Sequence, residues 1–308
     1  MMTSTTERAT SGELLPSAEI EEMQSGRQDR WFRRLGLERV ILWIVLGIGA
    51  IPMIGPFYWM FISSFKTRTE AVAIPPTWFP QTFTGENWTN LSLPPIVGSL
   101  PIVFRNSLFI TLVVTVITLF TSSLAGYVFA KFEFRGKNVL FWMVISMLIV
   151  PFSVTLIPLF NMVADWGWRN NYLALIVPIL FSPFGIFLMR QQIANIPTDL
   201  IDAARMDGAS EYLIYFRVIL PLCGAALAAL AIFTFTFQWD NFLWPLVVLD
   251  QPNLYTIPLW LGQFRGRTSN EIGPLAAASF ISVLPILVVY FFAQRRFIEG
   301  IALTGLKG

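Results

Sequence analysis

Residues 191–221 read QQIANIPTDLIDAARMDGASEYLIYFRVILP. Pro197, Thr198 and Asp199 form a helix-start signal, with Thr198 or Asp199 as the N-cap. Leu200, Ile201, Ala204 and Met206 then mark a short helix ending at Gly208, a residue suited to the left-handed turn that closes a helix. A second short helix runs from about Ser210 to Leu220, and Pro221 precedes a long apolar run. Two short helices broken at a glycine make a compact projection between apolar segments. By physics alone that shape fits equally a docking element for a partner's groove and a plain connector.

Around this projection the chain is strongly apolar. Of 308 residues, 55% are hydrophobic and 13% charged, with 28 Phe and 11 Trp. The charged share is about half that of soluble domains, and the mean hydropathy is +0.62. A soluble fold has nowhere to put that much apolar surface, so the chain reads as an all-α polytopic membrane protein. A span needs roughly 20 mostly apolar residues. Six segments qualify: Val40–Ser64, Ile102–Ala130, Val139–Met162, Tyr172–Met189, Cys223–Leu249 and Pro274–Ala293. Prolines inside them are kinks, since neighbouring helices satisfy the freed carbonyls.

With the N-terminus inside, 15 of the 21 Lys and Arg fall on the cytoplasmic side. Lys66, Arg68, Arg105, Arg169, Arg265 and Arg267 remain outside. The positive-inside rule therefore places both termini in the cytoplasm. Residues 1–28 have little to bury and read as a disordered arm. Residues 29–39 are an interfacial basic segment, either a short helix carrying Trp31, Phe32 and Leu35 or an ordinary basic flank. Residues 40–293 form the six-helix transmembrane domain, with the projection at 192–221, and residues 294–308 form a cytoplasmic tail.

The absences exclude whole classes of chemistry. With no His and Cys223 alone, there is no His-based triad, no disulfide, and no imidazole or cysteine metal site. A net charge of +2 is too slight to suggest nucleic acid. The single Gly-Lys pair, Gly136-Lys137, has Lys131 where a P-loop needs Gly, and Asn138 where it needs Ser or Thr. Ion coupling would place carboxylates in mid-membrane; only Asp240 lies well within a span, with Asp165 near the end of another. The chain reads as a pathway powered by a partner.

Asp202-Ala203-Ala204, Gly208 and the Ile219-Leu220-Pro221 run resemble the EAA loop of ABC importer permeases. Asp202 stands where that family usually has Glu, keeping the carboxylate on a shorter stem. Further similarity to the carbohydrate-uptake branch lies in Arg105-Asn106-Ser107, Ala125-Gly126-Tyr127, the Pro151 to Pro158 stretch and Trp239-Asp240-Asn241-Phe242-Leu243-Trp244-Pro245. It extends to the tail, Arg296-Phe297-Ile298-x-Gly300 with Thr304-Gly305-x-Lys307-Gly308, so the resemblance covers roughly residues 38–308. It implies the type I importer permease fold, in the bacterial or archaeal cytoplasmic membrane. It also implies partners: two ATP-binding subunits, which would hold the ATP and Mg while this chain binds no cofactor, a second homologous permease and an extracytoplasmic solute-binding protein. The implied ATPase-docking set is Asp202, Ala203, Ala204, Arg205, Asp207, Gly208, Ile219, Leu220 and Pro221, with Lys307 as a tail contact. The implied solute is a sugar; the alternatives are a non-sugar ABC permease, or an ion-coupled secondary transporter using Asp240.

Two stripes compete for the pathway. Thr111, Thr115, Thr118 and Ser122 share one helical face, which reads better as close helix packing than as a sugar path. Thr234, Gln238 and Asn241 form another, whose amides both donate and accept as sugar hydroxyls require. Trp239 and Trp244 are stacking platforms or interfacial anchors. For Asp240 a structural ion pair reads better than proton coupling.

Overall fold

A computed structural model describes residues 17–89, 91, 99–267 and 272–305, with the backbone alone at 17–37, 264, 266, 267, 293 and 295–305. Every regular element among them is helical. The chain divides into two units, residues 1–58 and 59–308. The first contains most of helix α1, Ser17–Ser63, which runs unbroken through Pro52 and Pro56. Its segment Val40 to Ile54 is apolar and exposed, as suits a helix surrounded by lipid. The helix also takes in residues 17–28, which composition assigns to a disordered arm. Ala18, Glu19, Glu21, Glu22, Met23 and Gln24 are strong helix formers and account for the difference. The side chains of residues 29–37, and with them the choice between an interfacial helix and a flank, lie outside the described residues.

The second unit is built on α2, Leu100–Lys131. Its buried face carries Val103, Ser107, Ile110, Val114, Thr118, Ser122 and Gly126 at helical spacing. A Cβ on Gly126 would lie 2.7 Å from the Met189 Cβ and 2.9 Å from the Arg190 backbone nitrogen, and one on Gly185 would run into the Ser122 side chain. Small residues thus bring α2 against α6, Pro183–Ala194, the way membrane helices approach without a hydrophobic drive between them. All four residues of the Thr111, Thr115, Thr118, Ser122 stripe are buried, in keeping with packing.

The other spans are interrupted. The segment read as one span at 139–162 is two helices, α3 (Lys137–Ser146) and α4 (Phe152–Asp165). Pro151 separates them, having no N–H to give and disfavouring helical backbone in the residue before it. Next come α5, Tyr172–Ile176, with a 3-10 turn to Ile179, and then α6, bent by 40° from it. The span expected at Cys223–Leu249 ends early: α9 covers Gly224–Trp239, the chain unwinds, and α10 begins again at Leu243–Val248. Helices α11 (Ile257–Arg267) and α12 (Ile272–Gly305) complete the unit. By length and composition three described helices can cross a membrane unaided, and five segments can if each bent pair is one span.

Polar clamps hold the helix ends opposite the projection. Asn106 Nδ2 donates to the carbonyls of Asn253 and Tyr255 at 2.8 and 3.1 Å, while its Oδ1 accepts from the Tyr172 hydroxyl at 2.8 Å. Ser107 Oγ accepts from the Ile257 amide at 2.7 Å. The Arg105-Asn106-Ser107 motif therefore works as a staple. Nearby, Asn87 binds the carbonyls of Ser64 and Lys66.

Candidate functional site

Two places in the second unit carry features beyond packing. The first is the projection. Helix α7 spans Thr198–Met206, and its N-cap is Pro197, with no side-chain cap. The expected Thr198 or Asp199 cap is therefore not formed. Proline holds the non-helical position with its fixed φ, so Thr198 is already in the helix. The C-terminus is a Schellman turn: the Ala209 amide donates to the Ala204 carbonyl and the Gly208 amide to that of Arg205, both at 3.0 Å. Gly208 has φ +79°, and a Cβ placed on it would meet nothing within 4 Å.

Ser210 then caps α8, Glu211–Ile214, accepting from the Leu213 amide. The chain continues as a widened π turn, Tyr215–Ile219, just before Pro221. Proline cannot donate to the Arg217 carbonyl four residues back, which suits a local loss of α geometry. A bend of 79° after Leu222 turns the chain into α9.

The two faces of this element differ. Ile201, Ile214, Tyr215 and Ile219 are buried together with Tyr127, Met189, Ile193 and Cys223. Leu200, Met206, Tyr212 and Phe216 face outward, Met206 at 88% exposure. Leu200, Ala203 and Met206 recur every third residue and make an apolar stripe along α7, with Asp202 and Asp207 also exposed. Of the implied docking set, Ile219 is buried, Ala204 and Leu220 are half-buried, and the other six are exposed. Lys307 lies outside the described residues.

Polar bonds join this element to α2. Arg205 donates to Asp202 Oδ1 at 3.0 Å and through Nε to Glu211 Oε1 at 2.8 Å. The Tyr127 hydroxyl donates to Glu211 Oε2 at 2.8 Å, and the hydroxyls of Ser123 and Tyr215 lie 2.7 Å apart. The Arg205 hydrogen bond holds the Glu211 carboxyl below its usual value, against partial burial and with help from Tyr127. Sequence reading missed Ser123, Tyr127, Glu211 and Tyr215. Tyr127 stood inside a quoted motif, but nothing local says that its hydroxyl meets a residue 84 positions on.

The second place is a cleft of about 1060 Å³ where three interruptions converge. The α3–α4 break contributes Met147, Val150 and Phe152; the α5–α6 break, Ile179, Phe181 and Pro183; the α9–α10 break, Asp240, Asn241 and Phe242. Thr155 and Thr236 add hydroxyls, and Phe237 and Trp244 add aromatic wall. Non-helical backbone at membrane depth is tolerated where it lines a cavity. A smaller, apolar hollow shares Ile179, Phe181, Pro183 and Phe237 with it and is lined also by Thr118 and Thr234.

The predicted pathway residues fare differently. Thr234 lines the smaller hollow and Asn241 the cleft. Gln238 is buried, its Oε1 without a partner among the described residues. Trp239 is sealed in: it is 2% exposed, stacks on Phe235 and donates its indole N–H to the Ser282 carbonyl at 2.8 Å. Its large apolar ring is worth more inside that cluster than on a wall. Trp244 is anchored likewise, its indole bonded to the Ala174 carbonyl. Among the described residues Asp240 forms no ion pair; it lines the cleft. Helix α9 ends at Trp239, so Asp240 sits on unwound backbone.

Residues 122–298 match the family model described as "Binding-protein-dependent transport system inner membrane component". The chain is 35% identical over 274 residues to the arabinooligosaccharides transport system permease protein AraQ of Halalkalibacterium halodurans, covering 87% of this chain and 98% of that one. It is 34% identical over 267 residues to the lactose transport system permease protein LacG of Rhizobium radiobacter, covering 87% and 96%. A bacterial ABC transporter involved in the import of the acidic polysaccharide alginate has a chain of the same fold, with TM-score 0.73 and 22% identity over 88% of this chain and 98% of that chain.

Proposed function

The chain belongs to the family of binding-protein-dependent transport system inner membrane components, and from that premise we propose that it is a permease subunit of an ABC importer for a sugar. It forms half of the translocation pathway and carries out no bond chemistry itself. Six spans with both termini in the cytoplasm place residues 192–221 inside, facing two ATPase subunits that hold the ATP and Mg. A second, homologous permease completes the pathway, and an external binding protein delivers the solute. The names of the relatives, AraQ and LacG, support the sugar class.

The observation that carries the coupling role is the two-faced projection. Its inner face is fused to the core around Tyr127 and Ile219, while Leu200, Ala203, Met206 and Tyr212 are presented outward. An amphipathic helix with an exposed apolar stripe fits a partner's groove. When ATP binding closes the ATPase dimer, the pull on α7 passes through Glu211–Tyr127 and Tyr215–Ser123 to α2, and through the 79° bend to α9, which borders the cleft.

Purification of the chain from its native membrane in mild detergent tests the partners: a P-loop ATPase and a second permease are expected with it. Gly208→Asp tests the coupling. A Cβ at Gly208 meets nothing within 4 Å among the described residues, and the strain that φ +79° puts on Asp is confined to one exposed turn, so the variant is expected to fold and insert yet lose transport. Normal uptake by that variant would remove the docking assignment.

A further inference from the structure

We infer that the cleft between the three helix breaks is a subsite for the neutral, polyhydroxylated part of the solute, with Asp240 accepting hydrogen bonds from its hydroxyls. The inference rests on the importer reading and names the chemistry of the pathway within it.

Asp240 sits between apolar segments, yet among the described residues it has no ion pair or side-chain hydrogen bond. A carboxylate at membrane depth is expensive and is retained where water, a partner or a ligand meets it. Its position just past the C-terminus of α9 adds to that, because the helix end is itself negative. Pressing it against an apolar helix of another subunit would leave the charge buried and unpaired. Polar solute or water in the cleft would meet that charge.

The chemistry of such a solute follows from the lining. The full acceptor is Asp240; Asn241 offers its amide nitrogen as donor, while its oxygen already accepts from the Trp244 amide at 3.4 Å, and Thr236 adds a hydroxyl. A hydroxyl needs both a donor and an acceptor. Phe152, Phe181, Phe237 and Phe242 supply flat apolar faces for the C–H sides of a sugar ring. Among the lining residues there is no Lys or Arg, so the one full charge is negative and works against a phosphorylated or carboxylated solute. The volume, about 1060 Å³, lies just above the roughly 300–1,000 Å³ usual for small-molecule sites, room for more than one sugar ring.

The test uses the complete importer in membrane vesicles, with Asn241→Cys as the reporter. A charged methanethiosulfonate is expected to label that cysteine and to leave the native protein unlabelled, since Cys223 is buried. Millimolar lactose or arabinotriose should slow the labelling, and glycerol 3-phosphate should not. Absence of labelling would show the cleft closed to water and overturn the inference. So would failure of both sugars to protect, and equal protection by glycerol 3-phosphate would overturn the neutral class. In the same vesicles Asp240→Leu should lower sugar uptake about ten-fold, as loss of one hydrogen bond to a charged acceptor does, while the ATPase subunits still copurify. Loss of assembly, restored by removing a cation from the partner permease, would assign Asp240 to an intersubunit ion pair and also overturn it. Failure of the importer reading would show earlier and separately: the unmodified complex would contain no ATPase and take up none of these sugars.

Discussion

The Gly208 turn is closed by bonds between near neighbours, Ala209 to Ala204 and Gly208 to Arg205, whereas the cleft takes its walls from residues as far apart as Met147 and Trp244. If the projection docks on a partner and the cleft lines the pathway, as proposed, the two regions face different demands. A docking element must present one fixed surface, and short-range caps and a positive-φ glycine would give it that surface at little cost in chain ordering. A pathway must be assembled from several spans that can move against one another, and walls built from breaks in separate helices would suit that. Helix α2 is the member common to both: Tyr127 bonds the projection, and Thr118 lines the hollow that shares Ile179, Phe181, Pro183 and Phe237 with the cleft.

The largest effect should come from breaking that shared strut. In Gly126→Leu the added side chain must displace Met189 and the Arg190 backbone, which lie 2.7 and 2.9 Å from the first added carbon. Backbone cannot yield as a side-chain tip does, so α2 and α6 must part, at the upper end of the ~1–3 kcal/mol typical of overpacking or beyond it. The expected outcome is loss of monodisperse protein on size exclusion in mild detergent. Gly224→Ala is the control: its Cβ meets nothing and should leave the yield unchanged.

A smaller effect separates the regions. Tyr127→Phe removes the bond from α2 to Glu211 but keeps the ring packed against Phe132 and Tyr215. Glu211 retains Arg205, so the projection keeps its own shape, and the lost hydrogen bond amounts to about 1 kcal/mol. If force passes along this bond, the amount of solute moved per ATP hydrolysed should fall while the ATPase still copurifies. An unchanged ratio in reconstituted vesicles would mean that the motion travels through the 79° bend into α9 instead.

The same contrast explains what the sequence made legible. The Gly208 terminus was readable because a helix end is written in adjacent residues, and its φ of +79° is what a C-cap glycine adopts. The apolar runs marked where the helices lie, but not their breaks. Pro151 separates α3 from α4, while Pro52, Pro56 and Pro285 sit inside continuous helices. A proline's own chemistry is the same in each case, so packing decides. Asp240 shows the same limit: whether a carboxylate finds a cation depends on which segment lies opposite, and none among the described residues supplies one. The Trp239 error has the same source, since a tryptophan on an amphipathic stripe is equally able to face a pathway or a neighbouring helix.

The smallest expected effect concerns acid, and it acts on the projection through Glu211. Its folded carboxyl lies below the ordinary value of 4.5, chiefly through the hydrogen bond from Arg205. A group whose folded value is depressed contributes stability that is fully present above its unfolded value and is lost as pH falls through the folded one. Hydrogen-exchange protection of residues 205–213 should therefore stay flat from neutral pH down to the mid-4 range and decline below it. The decline should be shallow, because the Arg205 and Glu211 side chains are 40% and 42% exposed and solvent screens the pair. Glu211→Gln retains an acceptor for Tyr127 while removing the titrating charge, so it should flatten that profile without unfolding α7. A decline already under way between pH 7 and 5 would require a titrating group other than Glu211. It would also mean that the projection draws its order from outside the local bonds described here.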